Sequence, residues 1–479
     1  MSAQHKNFIA GEWVDGAAVS RNVNPSNTDD IIGEYAQADA DQTGAAISAA
    51  RAAFAAWART TAQERHDILS RVSAEILARR DELGRLLARE EGKTLPEAVG
   101  EVGRAGQIFD FFAGEALRIP GEKFASVRPN VDIEATREPV GVVGIISPWN
   151  FPIAIPAWKI APALAYGNAV VFKPADLVPG SAHALAEIIV RAGVPKGAFN
   201  LVMGRGSVVG QAILDHSQVD AVTFTGSVAT GRRVAAACAS AMRKFQLEMG
   251  GKNPLVVLGD ADLANAVECA VNGAYFSTGQ RCTASSRVIV EESVYARFAG
   301  LLTERMRALV VDDALKAGTH IGPVVDQGQL DQDRTYLEIG RSEGARLALG
   351  GELLNRATPG FYMAPALFLD ADNSMRISRE EIFGPVSAMI PARDYDHALA
   401  IANDTDFGLC AGICTTSLKR ASHFKRNSEA GMVMVNLPTA GVDYHVPFGG
   451  RKGSSLGSRE QGRYAAEFYT TVKTAYTLA

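Results

Sequence analysis

The sequence predicts an α/β fold with two parallel-sheet units and a small β arm. From residue 140 to residue 242, short apolar strands alternate with helices through short loops. The strands are apolar at every position, which is typical of a parallel sheet covered by helices on both faces. A second unit of the same style begins after Gly250. A chain of 479 residues is too long for one hydrophobic core, so we expect two or three domains.

The N-terminal part is predicted to be mainly helical. Residues 8–14 read as a short strand and turn that open the fold. Residues 39–58, 63–90 and 95–117 place apolar side chains at helical spacing, with long charged side chains on the outer face. We therefore expect three amphipathic helices before the first parallel strand.

A hairpin outside the main core is predicted next. Residues 124–136 change to a strand-like period, which Pro129 and Asn130 interrupt. The segment is either a surface loop or a strand pair that extends the sheet of a neighbouring subunit. The final strand-like segment, residues 468–478, is a candidate partner for it.

The two parallel units follow in order. In the first, we predict strands at 140–146, 169–172, 199–203 and 221–224, and helices at 161–166, 181–192, 208–215 and 231–242. In the second, we predict strands at 254–258, 286–291, 386–390 and 432–436, and helices at 261–274, 294–310 and 396–403. Ligands bind such sheets at the carboxyl ends of the strands, so functional residues are expected in the loops there.

Composition argues against several function classes. The net charge is −5 with acids and bases interspersed, which predicts no nucleic-acid or membrane surface. The opening MSAQHK lacks an apolar signal core, and no run is apolar enough to span a bilayer. Five irregularly spaced cysteines favour a reducing cytoplasm over a disulfide framework. Neither they nor the eight histidines show metal-ligand spacing, so we expect no metal.

One cysteine has surroundings that suit chemistry. Cys282 stands in a small, polar, glycine-containing stretch, Ser277-Thr278-Gly279-Gln280-Arg281-Cys282-Thr283. A nucleophilic thiol needs exposure and a lowered pKa, and the adjacent Arg281 carries a charge that favours the thiolate. The alternative is a buried structural cysteine in a turn.

Polar residues follow several predicted strands. Asn150, in Pro148-Trp149-Asn150-Phe151-Pro152, can donate an N–H to a developing oxyanion. Lys173 and Asp176 suit the ribose of a dinucleotide, the acid favouring NAD and the lysine able to meet a 2′-phosphate. Glu248, in an apolar setting before two glycines, suits a general base. Taken singly, the Asn150 stretch is better explained as a proline-stabilised turn with a buried tryptophan. Lys173 and Asp176 alone could be a solvated ion pair, and Glu248 alone could belong to a turn at the domain boundary.

Glycine turns give weaker signals. Thr225-Gly226-Ser227 opens a helix whose free N–H groups would attract a pyrophosphate. Gly204-Arg205-Gly206 with Gly210 misses the dinucleotide-binding fingerprint because its last spacing is one residue too long. Glu381-Ile382-Phe383-Gly384-Pro385 and Pro447-Phe448-Gly449-Gly450 are, singly, turns with a packed ring.

Together, in this order and spacing, these stretches resemble the aldehyde dehydrogenase superfamily over essentially the whole chain. The resemblance implies that family's fold, with a Rossmann-like cofactor domain, an α/β catalytic domain and a small β oligomerisation arm. We accordingly expect the cofactor domain at 1–122 and 141–250, the catalytic domain at 251–440, and the arm at 123–140 and 463–479.

The resemblance also implies a reaction, the NAD(P)-dependent oxidation of an aldehyde to a carboxylic acid through a cysteine thioester. Cys282 is similar to the family's nucleophile, Glu248 to the base that activates the deacylating water, and Asn150 to the side-chain donor of the oxyanion hole. Cofactor contacts are implied for Ile146, Trp149, Lys173, Ala175, Asp176, Gly206, Gly226, Ser227, Met249, Glu381 and Phe383. Substrate contacts are implied for Asn150, Phe151, Trp158, Arg281 and Phe448.

Two stretches narrow the substrate. Residues 276–287 and 458–462 look like those of 2-oxoglutarate semialdehyde (2,5-dioxopentanoate) dehydrogenases. Arg281 is then a candidate for the substrate carboxylate, with local tuning of Cys282 as the alternative. Succinate semialdehyde dehydrogenases come second, because Trp158 and Phe276 stand where those enzymes hold arginines. A broad-range aldehyde dehydrogenase and a catalytically idle binding protein are further alternatives.

Cofactor choice and assembly follow from the same resemblance. Asp176 stands where NAD-preferring members often carry glutamate, and the shorter side chain leaves room for a 2′-phosphate. We therefore expect mixed NAD and NADP use. We also expect a cytoplasmic homodimer or homotetramer that binds a small aldehyde.

Overall fold

The chain is built around two large sheets, and the predicted α/β class is confirmed. The computed structural model describes residues 4–478, so Met1 to Ala3 of the opening segment and Ala479 of the predicted arm lie outside the described residues. An eight-stranded and a seven-stranded sheet are accompanied by two three-stranded sheets. No helix within residues 4–478 is long and apolar enough to cross a membrane.

The N-terminal part contains more strand than its sequence predicts. Its elements are β1 (Gln4–His5), β2 (Asn7–Ile9), β3 (Glu12–Val14), β4 (Ala18–Asn24), β5 (Asn27–Gln37), α1 (Ala40–Trp57), α2 (Ala62–Ala78), α3 (Arg80–Glu91) and α4 (Leu95–Ala116). The antiparallel pair of β4 and β5 was not expected. The helix predicted at 63–90 is two helices, because the backbone leaves helical geometry at Arg79.

The first parallel sheet follows β6 (Glu122–Ala125) and β7 (Val131–Pro139). Its elements are β8 (Val142–Ile146), α5 (Ala154–Ala165), β9 (Ala169–Lys173), α6 (Pro179–Arg191), β10 (Phe199–Leu201), α7 (Gln211–Asp215), β11 (Ala221–Thr225), α8 (Val228–Ser240) and β12 (Lys244–Glu248). The spatial order is β12-β11-β8-β9-β10, extended by β2 and β3. A π-helical turn at Gly206–Gly210 begins the helix predicted at 208–215, and α5 begins seven residues before its predicted start.

The second sheet has the order β15-β16-β17-β14-β13-β18-β19. Its elements are β13 (Pro254–Val257), α9 (Leu263–Tyr275), β14 (Arg287–Glu291), α10 (Glu292–Arg307), α11 (Gln327–Ser342), β15 (Arg346–Leu349), β16 (Ala366–Leu369), α12 (Arg376–Arg379), β17 (Val386–Ala392), α13 (Tyr395–Asn403), β18 (Cys410–Cys414), α14 (Leu418–Asn427) and β19 (Met432–Val435). Only β15 runs antiparallel to its neighbour.

The C-terminal residues return to structures formed much earlier in the chain. They form β20 (Ser455–Leu456), α15 (Ala466–Tyr469) and β21 (Thr470–Leu478). β20 pairs with β12 and so joins the first sheet. β21 pairs antiparallel with β7 over nine residues, from Thr470 opposite Pro139 to Leu478 opposite Val131, as the sequence suggested. The strand starts two residues later than predicted, because Phe468 and Tyr469 are buried in a short helix.

Candidate active site

Cys282 lies in the turn between α9 and β14 and faces a cavity of about 640 Å³. It is half-buried, whereas the other four cysteines are buried, and all five thiols are free. Before it, Ser277 and Thr278 adopt left-handed backbone angles, with φ of 51° and 57°. Such angles strain residues that carry a side chain and persist only where the surroundings hold them. The Glu97 carboxylate supplies part of that support by accepting the Ser277 N–H at 2.9 Å.

Arg281 does not act on the thiol as we expected. Its guanidinium lies 2.8 Å from Glu97 and 2.9 Å from the Ser277 hydroxyl, so its charge is already paired. The pKa of the Cys282 thiol is raised to about 12, mainly by burial and to a smaller extent by the nearby carboxylates of Glu381 and Glu248. The interpretation that Arg281 lowers this pKa is therefore wrong for this arrangement. Arg281 instead stabilises the strained turn at Ser277 and Thr278, through its contacts with Glu97 and the Ser277 hydroxyl.

Asn150 is buried, and two hydrogen bonds hold it in place. Its side-chain N–H donates to the Gln280 carbonyl at 2.9 Å. Its backbone carbonyl accepts a hydrogen bond from the Lys93 ammonium at 2.7 Å. An asparagine amide carries two donor hydrogens, so one remains beyond the bond to Gln280. The amide is thus fixed beside the turn that carries the thiol.

The support of Asn150 comes from a buried ion pair that the sequence analysis missed. Lys93 lies 2.7 Å from the Glu101 carboxylate, and its ammonium stands 3.8 Å from the centre of the Phe151 ring. Glu101 also accepts the N–H groups of Ile153 and Ala154, at 3.1 and 3.2 Å. The loop after β8 is therefore anchored to α4 by charge. No sequence signal marks this pair, because its partners are an ordinary lysine in the loop between α3 and α4 and an ordinary glutamate in α4.

Glu248 ends β12 and is buried. One carboxylate oxygen accepts from the Ser455 hydroxyl at 2.5 Å, and the other has no partner among the described residues. Burial raises the pKa of Glu248 well above its usual range, while the Ser455 hydrogen bond opposes that rise. A carboxylate with one free oxygen and a raised pKa can accept a proton from water at neutral pH.

Aromatic rings form much of the cavity wall. Trp158 and Phe448 pack with ring centroids 5.2 Å apart, and Phe151 and Tyr444 line other parts of the wall. Of the predicted substrate residues, Phe151, Trp158, Arg281 and Phe448 line the cavity, whereas Asn150 is buried and is not among the lining residues. The cavity also has a charged wall that sequence reasoning missed, formed by α4 with Glu97, Glu101 and Arg104.

A second cluster gathers at the carboxyl ends of the first sheet. The Lys173 ammonium lies 2.8 Å from the Asp176 carboxylate, directly after β9, with Ala175 half-buried between them. Ser227 caps α8 by accepting the Thr230 N–H at 3.3 Å. Ile146 ends β8, and Gly226 follows β11 and donates its N–H to the Glu248 carbonyl at 3.1 Å.

These residues fit a dinucleotide. The start of α8 offers free N–H groups to a pyrophosphate. The buried Thr225 hydroxyl has no partner among the described residues, so it is free for a ligand. Nothing lies within 4 Å of a Cβ built on the exposed Gly206, which leaves room for a ligand along this edge. Asp176 offers a carboxylate to a ribose hydroxyl.

Glu381 precedes β17 of the second sheet and contacts the chain just after β12 of the first sheet. Its carboxylate accepts the Gly251 N–H at 2.9 Å, and burial raises its pKa to about 7. A Cβ on Gly250 would lie 2.0 Å from the other carboxylate oxygen, so only glycine permits this approach. Nearby, Lys252 is buried with no hydrogen-bond partner among the described residues.

The remaining predicted cofactor residues, Trp149, Phe383 and Met249, all make close packing contacts. Trp149 and Phe383 meet edge to face, with centroids 5.3 Å apart. Phe383 has φ of 65°, which shows that its position is imposed by the surrounding structure. Met249 packs so closely on Gly231 that a Cβ there would lie 2.3 Å from its sulfur.

Comparison with known proteins places this geometry in context. A model of the aldehyde dehydrogenase family matches residues 13–475. An alpha-ketoglutaric semialdehyde dehydrogenase of Bacillus subtilis is 44% identical over 98% of this chain and 97% of its own length. An alpha-ketoglutarate semialdehyde dehydrogenase of Haloferax volcanii is 42% identical over 99% of each. A betaine aldehyde dehydrogenase of Cereibacter sphaeroides is 43% identical over 90% of this chain and 88% of its own.

Solved structures agree with these sequence relatives. A crystal structure of betaine aldehyde dehydrogenase from Staphylococcus aureus in complex with NAD+ superposes with a TM-score of 0.97. The two are 34% identical, and the match covers 99% of this chain and 95% of that one. A crystal structure of an Escherichia coli NADP dependent enzyme gives a TM-score of 0.96 at 36% identity, covering 99% and 98% of the two chains.

Proposed function

Because this chain belongs to the aldehyde dehydrogenase family, we propose that it oxidises 2-oxoglutarate semialdehyde to 2-oxoglutarate with NAD or NADP. The substrate assignment is based on the two semialdehyde dehydrogenases described above, which are 44% and 42% identical to this chain over nearly its whole length. The local geometry is consistent with oxidation of an aldehyde, since the half-buried Cys282 thiol faces the cavity, the Asn150 amide is held against the turn before it, and the buried Glu248 carboxyl has a raised pKa.

Cys282 is the nucleophile in this proposal. Its sulfur attacks the aldehyde carbon and forms a thiohemiacetal. The oxyanion of this intermediate accepts hydrogen bonds from the Asn150 side chain and from the Cys282 backbone N–H. Loss of one such donor typically costs about 3 kcal/mol of transition-state stabilisation. Because the pKa of Cys282 is raised to about 12, the thiol has to give its proton to a base as it attacks.

Glu248 serves the second half of the reaction. When bound, NAD or NADP accepts a hydride and so leaves the thiol acylated. Glu248 then takes a proton from water, which attacks the thioester and releases the carboxylic acid. The free oxygen of Glu248 and its raised pKa support this role.

The cofactor is assigned to the carboxyl edge of the first sheet. Lys173 and Asp176 would hold the adenosine ribose, and Ser227 with the start of α8 the pyrophosphate. Glu381 would hold the ribose next to the nicotinamide, with Trp149 and Phe383 beside the ring. The same assignment takes Ile146, Ala175, Gly206, Gly226 and Met249 as packing contacts.

Domain, assembly and location are proposed on coarser grounds. We assign the cofactor domain to 1–122 and 141–250, the catalytic domain to 251–440 and the arm to 123–140 and 463–479, in line with the separate sheets. The arm exposes Phe124, Val472 and Tyr476, so a partner subunit is expected to cover it in a homodimer or homotetramer. Five free thiols are in keeping with a reducing cytoplasm.

Betaine aldehyde is a second candidate substrate, because four aromatic residues line the cavity and quaternary ammonium groups bind to such rings. The deciding experiment is cofactor reduction by the purified protein with 2-oxoglutarate semialdehyde, succinate semialdehyde and betaine aldehyde, each with NAD and with NADP. We expect a kcat/KM at least about tenfold higher for the first, equivalent to about 1.4 kcal/mol.

Two results would change this conclusion. Equal values, or a reversed order, would contradict the substrate assignment while leaving the family intact. The Cys282→Ala variant should lose turnover with every aldehyde and still bind NAD. Unchanged turnover in that variant would contradict the nucleophile assignment, whereas an inactive parent enzyme would favour an idle binding protein.

A further inference from the structure

The cavity at Cys282 has one charged wall, formed by α4. Glu97, Gly100, Glu101, Arg104 and Gln107 all line the cavity. Their spacing of three or four residues places them on one face of the helix. The same cavity is lined by Arg281 and by Asp443 from the segment after β19. It thus holds two guanidinium groups and three carboxylates.

Two of these carboxylates are already used within the protein. Glu97 pairs with Arg281 at 2.8 Å and supports the turn before Cys282. Glu101 pairs with the buried Lys93 at 2.7 Å and accepts two backbone N–H groups. Because these contacts fill their oxygens, neither carboxylate is free to neutralise a further cation closely.

Arg104 is the remaining cation on this wall. Within residues 4–478 it has no salt-bridge partner within 4.0 Å and no hydrogen-bond acceptor, in contrast to Arg281, which pairs with Glu97. Glu101 and Asp443 act on it only through space, and burial lowers its pKa. A guanidinium nevertheless stays charged at neutral pH. Arg104 is therefore a partly desolvated cation that lacks an anion.

We propose that Arg104 binds the distal carboxylate of the semialdehyde, two helical turns away from the contact between Glu97 and Arg281. This inference rests on the proposed substrate and names the residue that selects it. The planar guanidinium can grip a carboxylate with two parallel N–H bonds. An aldehyde without a carboxylate would leave this partly desolvated cation without an anion, which is unfavourable.

The spacing along α4 suits a short dicarbonyl acid. A rise of about 1.5 Å per residue places Arg104 about 10 Å beyond Glu97 along the helix axis. With C–C bonds of about 1.5 Å, a five-carbon semialdehyde separates its terminal carbons by roughly 5 Å. The long arginine side chain can cover the rest. Arg281, the candidate from the sequence, is less suited because three of its contacts are internal.

The test compares two aldehydes of equal chain length. For the parent enzyme and the Arg104→Met variant, kcat/KM is measured with 2-oxoglutarate semialdehyde and with pentanal, which lacks the carboxylate. We expect the ratio of the two values to fall at least 100-fold in the variant, equivalent to about 2.7 kcal/mol. The matched control is Arg85→Met, an exposed arginine of α3 away from the cavity, which should keep the parent ratio.

The outcomes separate this inference from the substrate proposal. A parent ratio near one would overturn the substrate and the role of Arg104 together. A high parent ratio that Arg104→Met leaves unchanged would overturn Arg104 alone, as would an equal loss with both aldehydes. If the Met variant fails to fold, Arg104→Lys serves instead, and its ratio should fall because an ammonium group cannot make the paired bonds. An unchanged ratio in the Lys variant would contradict the bidentate contact.

Discussion

The hydrogen bond from Ser455 to Glu248 is expected to set the pH dependence of turnover. The Ser455 hydroxyl donates to the buried carboxylate at 2.5 Å and so stabilises its ionised form. In the Ser455→Ala variant that stabilisation is lost, and the pKa of Glu248 rises further above its usual range. If the ionised carboxylate is the base, activity falls below that pKa. The acidic limb of the pH profile should therefore move to higher pH.

The size of the shift follows from the strength of the bond. A hydrogen bond to a buried charged group contributes about 1.5 to 3 kcal/mol. One pKa unit corresponds to about 1.36 kcal/mol, so the limb should move by about 1 to 2 pH units. Glu248 is only 2% exposed, so solvent screens little of this effect.

The assay is the pH profile of kcat, because kcat reports groups in the enzyme–substrate complex. A burst of reduced cofactor in the first turnover shows that deacylation limits the rate under the chosen conditions. The matched control is Ser240→Ala, at the exposed end of α8. A limb that stays in place, or moves to lower pH, would refute the reasoning, since the bond could then not stabilise the catalytic form of Glu248.

Two further predictions concern the supports of the site. Lys93→Met leaves the Glu101 carboxylate buried without its cation, which should cost about 3 to 5 kcal/mol in the free energy of unfolding. Unfolding in urea measures this, and an unchanged midpoint would show that the pair contributes little. Gly250→Ala places a Cβ 2.0 Å from the Glu381 carboxylate and should displace it. Losing one hydrogen bond to a charged group should weaken NAD binding about tenfold in a fluorescence titration. Gly300→Ala, where a Cβ meets nothing within 4 Å, is the control, and equal affinities would contradict the displacement.

The central strands of the two large sheets were predictable where they are mostly apolar, whereas β12, β15, β16 and β18 were not predicted. β8, β9 and β11 all overlap the predicted strands, since strands covered on both faces read as nearly continuous apolar runs. β4 and β5 were missed because polar residues such as Asn22 and Asp30 break that pattern. Tertiary pairing, which no local window contains, makes them strands.

The charged part of the site shows the same limit. The sequence shows an arginine beside Cys282, but not the carboxylate of Glu97, which lies 184 residues away and pairs with it. Nor does a helical pattern tell which polar residues of α4 face a cavity, because that depends on how α4 packs on α5. Arg104 and Lys93 therefore have no visible signal, although glycine and proline turns mark the strand ends clearly.

The return of the chain through β20 has a consequence for dissecting the protein. A fragment ending at residue 250 would lack β20, which pairs with β12 and carries the Ser455 partner of Glu248. It would also lose the buried pairing of Lys159 with Glu460. The two units are consequently not modular. A split protein cut near the boundary should recover its site only when both fragments are expressed together and reassemble.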